Sequence, residues 1–280
     1  MSLHFKNSRS RLDRAEYHAK AFHSQWQSML VDESFSPVGR YDKSSGWYIV
    51  SAFPSDSTLE KIKTNTLALE LGEMAYQLRS ALDGLIWEAV TLSQGTEPAP
   101  DSDGVNRLEF PILSGKNADF NKCALHKFPF PDQLKTWLSS IQPYSPVKPV
   151  GDSDRGLNTT LEDIHDLARH DRHRRLRVVA AFPSEISFMV EATSDPTSRH
   201  GSYEAIDTCD FLSGRYEFLR FQLLTDSGIF PDKIRLNMNV KIEIFVEHIE
   251  LYGGENLGVQ LQRFIQAVDL VISRFEQALA

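Results

Sequence analysis

The chain is poor in cysteine, in long apolar runs and in net positive charge, and each shortage removes a class of protein. Only two of its 280 residues are cysteines, Cys123 and Cys209. They stand far apart, in no metal or redox spacing. That excludes a disulfide framework or a cysteine-built zinc site, and leaves two reduced thiols as the expected state. No apolar run approaches the roughly 18 residues of a transmembrane helix. The opening "MSLHFKNSRSRLDRAEYH" is polar and lacks the apolar segment of a secretory signal, so a cytoplasmic protein is expected. Lysine and arginine number 30 against 38 aspartates and glutamates, a net charge of −8. This balance argues against nucleic-acid binding over the whole surface, which needs clustered cation, while leaving room for a local basic patch. Also missing are a Gly-rich phosphate loop, a Gly-x-Ser-x-Gly elbow and a His-Glu-x-x-His zinc motif.

What is present is ordinary globular material, 41% hydrophobic and 24% charged, long enough to bury a core without staples. Leu12, Ala15, Ala19, Phe22, Trp26 and Met29 recur at three- and four-residue steps and predict a first helix. "FSPVGRY" and "GWYIVSAF" flank the turn-rich "DKSSG", a hairpin pattern. A long helix is predicted from about Thr58 to Leu92. A loop follows at "QGTEPAPDSDG", then a short extended piece at "LEFPIL", where proline turns its neighbour away from helix. Helix and turn are mixed from Ala118 to Ile141, and a further helix begins near Asn158. Strands are predicted at "SEISFMVEA", "GRYEFLRFQLL" and "KIRLNMNVKIEIFVE". In the last of these Ile234, Leu236, Met238, Val240, Ile242, Ile244 and Val246 alternate onto one face. A closing helix carries Leu257, Leu261, Phe264, Val268, Val271, Phe275 and Ala278 on one side. The fold class expected is α+β: a helical bundle with a long central helix, an antiparallel sheet and a C-terminal helix. It is read as one composite domain, helix-rich over 1–170 and strand-rich with the closing helix over 171–280.

The long helix carries a second stripe beside its apolar face. Tyr76, Arg79, Asp83 and Trp87 line up at helical spacing, and Arg79 and Asp83, four apart, can pair along the surface. The motif "LRSALDG" resembles a widespread group of uncharacterised bacterial proteins whose corresponding helix reads GD-x-x-HNLRSALDH. That group also carries FPI, QPY and DKHR segments. The pieces here are Gly72 and Glu73, Leu78 to Asp83, Phe110 to Ile112, Gln142 to Tyr144, and Asp171 to Arg174. They come in the same order across about half the chain, and the resemblance implies no activity. Arg79 on a helix is also similar to the arginine of HEPN ribonucleases, in which a histidine four to six residues later is implied to act with it at RNA phosphate. Five residues on, this chain has Gly84, which cannot transfer a proton.

The second concentration of chemistry is "LARHDRHRRL", Leu167 to Leu176. The apolar face through Leu157, Leu161, Ile164 and Ala168 continues by helical spacing onto Asp171, so an inward carboxylate is expected to need a cationic partner. Arg79 is the natural candidate, with Arg172 or Arg174 as local alternatives. On the opposite face Glu162, Asp166, His170 and His173 follow at steps of four, four and three, a set that could ligate a divalent metal such as zinc or iron. His165 lies off that line.

Three readings follow. Arg79, Asp83, Tyr76, Asp171, His173 and Arg174 line a pocket for an anionic small molecule or a phosphate-bearing end, which arginines hold through fixed donors. Alternatively the residues serve an RNA-acting or metal-dependent hydrolase. In the third reading both motifs are internal ion pairs that lock helices together.

Overall fold

The computed structural model describes residues 5–31, 35–54, 66–113, 119–143, 156–173, 178–192, 199–210, 215–224, 234–246 and 257–279. The protein is α+β. Its helices are α1 (Lys6–Val31), α2 (Thr66–Gln94), α3 (Asp132–Ser140), α4 (Leu157–His173) and α5 (Leu257–Ala278). Its strands are β1 (Phe35–Asp42), β2 (Trp47–Pro54), β3 (Val178–Ala192), β4 (Arg199–Asp210), β5 (Arg215–Leu224) and β6 (Ile234–Val246). Among the described residues no helix is long and apolar enough to cross a membrane. The residues group into two compact units that interleave along the chain. One comprises residues 1–23, 68–176 and 248–280, and the other 24–67 and 177–247.

The first unit is helical. Along α2 the side chains of Leu71, Ala75, Leu78, Leu82, Leu85 and Ala89 are fully buried, as the apolar stripe predicts. Burying a side chain of the leucine class contributes about 1.5–3 kcal/mol, so this face alone is a large share of the core. The closing helix contributes Leu257, Leu261, Phe264, Val268, Val271 and Phe275; Ala278, at its end, is exposed. Phe275 is a meeting point. Its ring takes edge contacts from Phe5 at 6.4 Å, Phe130 at 5.8 Å and Trp137 at 6.4 Å, an arrangement that suits the aromatic quadrupole. Polar links reinforce the packing. Glu88 accepts the backbone N–H groups of Asn7 and Ser8 and the Ser8 hydroxyl, meeting orphan donors at the start of α1. Arg9 forks onto Glu276 at 2.7 Å and also pairs with Asp269. The buried His18 faces Glu70 at 2.7 Å.

The second unit holds the strands. A four-stranded antiparallel sheet runs β1-β2-β5-β4, and β3 pairs with β6 in a two-stranded sheet. The hairpin from β1 to β2 turns where expected. Asp42 accepts from the Ser44 N–H and from both serine hydroxyls, while Gly46 takes a positive φ of 72° that suits a residue without Cβ. Tyr48 stacks on Phe221 at 5.3 Å, with Val50 and Leu219 buried beside them. The long β6 pairs antiparallel with β3 from Ile234 opposite Ala192 to Val246 opposite Val178, with register shifts between Val178 and Ala180 and between Pro183 and Glu185; which of its side chains are buried lies outside the described residues. Strand β4 has no counterpart among the predicted elements. Its "RHGSYEAIDTCD" is polar and glycine-bearing, and its pairing with β5 shifts register twice. The predicted start of the long helix, from Thr58 to Asn65, lies outside the described residues.

Candidate functional site

The site is built on the one arginine that α2 turns inward. Arg79 is 5% exposed, whereas Tyr76, nearly one turn before it, is 42% exposed and Trp87 is half-buried. The predicted stripe is therefore split between solvent and interior. The expected pair along the helix is present, with Arg79 Nη2 3.0 Å from Asp83 Oδ1. The same nitrogen donates to Glu109 Oε2 at 3.5 Å. The other terminal nitrogen, Nη1, is buried and has no hydrogen-bond partner among the described residues. Other buried side-chain atoms without a hydrogen-bond partner among the described residues include Ser51 Oγ, Thr91 Oγ1 and His126 Nε2. Arg79 differs from them because a guanidinium cannot shed its proton to lower the cost.

Asp83 does a second job. Its Oδ1 accepts the Phe110 N–H at 3.0 Å, fixing the extended piece "FPIL" against α2. Gln142, 1% exposed, holds the same piece from the other end. Its Oε1 accepts the Leu113 N–H at 3.0 Å, and its Nε2 donates to the carbonyls of Pro111 at 3.0 Å and Leu138 at 2.9 Å. Residues 110–112 form no ladder of their own, and these two side chains meet the Phe110 N–H and the Pro111 carbonyl of the buried piece. Three of the segments that carry the bacterial resemblance thus meet at one place, although Tyr144 lies outside the described residues.

Two further groups come within electrostatic reach of this cluster, and neither has a place in the site read from sequence: Cys123 is expected only as a reduced thiol, and His165 lies off the metal line. His165 on α4 has its imidazole pushed down by burial and then by the Arg79 charge, against the opposing pull of Asp166 and Glu109. A neutral ring beside a fixed cation is the result. The Cys123 thiol is pushed up by burial, with Asp119 and Glu109 adding to the effect, so it stays protonated and is no nucleophile at neutral pH. The missed signal is topological: Glu109, Cys123 and His165 are single residues on separate segments, and only the fold collects them.

The basic stretch is partly beyond description. Helix α4 does run past Arg169 to His173, the condition for carrying Asp171 at helical register. The side chains of Asp171, Arg172 and His173, and all of Arg174, lie outside the described residues, and so does the expected contact between Arg79 and Asp171. Of the metal set, Glu162, Asp166 and His170 are half-buried on α4. Burial and then the neighbouring Asp166 push the Glu162 carboxyl up, as two like charges one turn apart require. His170 Nδ1 lies 2.7 Å from the Asp166 carbonyl oxygen, a contact in which the ring nitrogen donates. Among the described residues no group of three histidine, cysteine, aspartate or glutamate side chains is placed to hold a metal. Position 84 points elsewhere: a Cβ there would lie 3.4 Å from Ser8 Oγ and 3.5 Å from Asn7 Nδ2, against the start of α1.

Compared with family models, with curated proteins and with solved structures, the chain matches none of them.

Proposed function

We propose that the Arg79 cluster binds a small anionic ligand, one carrying a phosphate or carboxylate group. The carrying observation is the divided guanidinium, with Nη2 committed to Asp83 and Glu109 and Nη1 buried without a partner among the described residues. Leaving a polar donor unmet in the interior costs about 1–3 kcal/mol, and a charged one costs more. Such a cost is tolerated where a ligand supplies the missing acceptor. Glu109, whose side chain is 67% exposed, stands at the outer edge of the cluster and can swing toward solvent to let an anion approach. His165, kept neutral, adds a proton donor or acceptor without adding like charge. An RNA-acting hydrolase, the more demanding version of this reading, requires a proton-transfer group near the guanidinium, and His165, which feels the Arg79 charge, is the candidate for it.

The test is a thermal-midpoint titration with inorganic phosphate, pyrophosphate, AMP and citrate, run on the natural chain and on Arg79→Lys. Lysine keeps the charge and loses the two-pronged donor. The midpoint of the natural chain should rise with at least one of the four, by the mass action of a ligand that binds only the folded state, and that of Arg79→Lys should not. A midpoint unmoved by all four, or moved equally in both proteins, removes the reading.

A second reading is favoured by a different observation. Asp83 and Gln142 both spend their polar atoms on residues 110–113, so the cluster also works as a brace that holds an extended segment in the helical unit. In that reading Arg79 only orients Asp83, and its replacement destabilises without touching any ligand.

A further inference from the structure

The Arg79 guanidinium meets two carboxylates, one more than its own charge balances. Asp83 is committed to the fold, since its Oδ1 takes both the Phe110 N–H at 3.0 Å and Arg79 Nη2 at 3.0 Å. Glu109 is not. Among the described residues its carboxylate has a single hydrogen bond, from Arg79 Nη2 at 3.5 Å, a length at which the attraction is weak. Its side chain is 67% exposed. Its backbone is nonetheless held: its own N–H donates to the Arg107 carbonyl at 3.1 Å, and Asp83 pins the residue after it. The acid is thus tethered at the rim of the guanidinium on a side chain free to turn. Its charge also reaches inward, opposing ionisation of the Cys123 thiol and favouring the proton on His165. On the same guanidinium the unmet donor waits, since Arg79 is 5% exposed and its Nη1 has no partner among the described residues.

A site that joins an unmet donor to a loosely engaged carboxylate sorts anions by whether they keep a proton. A fully ionised anion on Nη1 brings like charge beside Glu109 and is repelled. An anion that still carries an O–H turns the same acid into a partner. One of its oxygens accepts from Nη1, and its O–H donates to the Glu109 carboxylate, a charge-assisted bond of the short, strong kind. Sulfate and phosphate make the distinction cleanly. Both are tetrahedral and close in size, but at neutral pH sulfate has no proton, whereas inorganic phosphate keeps at least one. Building on the anion-binding reading above, we propose that this site selects a protonated tetrahedral oxyanion, inorganic hydrogen phosphate, and that Glu109 is the residue that selects it.

Titration calorimetry on the full chain near neutral pH tests this, with sodium phosphate and sodium sulfate as probes at matched ionic strength. The natural chain should bind phosphate roughly tenfold or more tighter than sulfate, the worth of one hydrogen bond to a charged group. In Glu109→Gln the amide offers a donor as well as an acceptor, so the preference should fall to near parity, chiefly because sulfate gains. Arg79→Lys should weaken both ions. Phosphate and sulfate bound alike by the natural chain would leave an anion site standing and overturn the selection. A preference that survives Glu109→Gln unchanged would overturn it too. If neither ion binds, the selection falls, and citrate and AMP in the midpoint titration decide whether the anion reading falls with it. Circular dichroism checks the substituted protein, and if it does not fold, the phosphate-to-sulfate ratio of the natural chain still decides.

Discussion

Gln142 and Arg79 are both buried polar side chains of the helical unit, and they are satisfied to opposite degrees. Every polar atom of the Gln142 amide has a partner, with Nε2 on two carbonyls and Oε1 on one N–H. The Arg79 guanidinium places two carboxylates on one nitrogen and, among the described residues, nothing on the other. A fully met amide in the interior is a structural device, since it rigidifies whatever it joins. A half-met cation there is poor structure. On the reading proposed above, the difference separates their roles, with Gln142 serving the fold and Arg79 an anion that arrives later.

Substitutions can break that comparison or sharpen it. The largest effect should come from Gln142→Leu, which strands the Leu113 N–H and the Pro111 carbonyl and removes the tie to Leu138. A loss on the order of 3 kcal/mol is expected, read as a lower midpoint in urea at unchanged slope. Asp83 should come next and should divide by chemistry. Asp83→Ala removes the acceptor for the Phe110 N–H and should cost about 2 kcal/mol. Asp83→Asn keeps an acceptor there and loses only the charge beside Arg79, so about 1 kcal/mol or less is expected.

The smallest of these effects is a pH slope from His165. Its folded imidazole is pushed below the usual value of about 6.5, by burial first and by Arg79 second. The folded state therefore resists a proton that the unfolded chain accepts. The stability due to the neutral ring is intact above about pH 6.5. It declines as pH falls from there toward the lower folded value. Unfolding midpoints measured from pH 7.5 down to pH 5 should fall less steeply in His165→Asn than in the natural chain. Equal slopes would detach His165 from the cluster.

Much of the architecture was legible because it follows from period. The 3.6-residue stripe of α2 and the two-residue alternation of β6 are both governed by which face is buried, and burial is what the structure shows along α2. Strand β4 escaped because its residues carry neither alternation nor β-branched density, and pairing with β5 supplies what local sequence does not. The site was legible in part. Arg79 and Asp83 could be paired from their spacing alone. Glu109 could not, since its approach to Arg79 depends on where Asp83 pins Phe110, thirty residues from the guanidinium it meets. His165 was passed over for a related reason, being off the polar line of its own helix yet facing a charge on another.

The most direct test is the unfolding free energy of Arg79→Met with no ligand added. Methionine fills similar space and carries no charge, and the carboxylates it abandons are not sealed in, with side-chain exposures of 32% for Asp83 and 67% for Glu109. If Arg79 is held in readiness for an anion, removing it should change stability by no more than about 1 kcal/mol, in either direction. A loss of about 3 kcal/mol or more, equal to that of Gln142→Leu, would make Arg79 a brace like its neighbour and contradict the account.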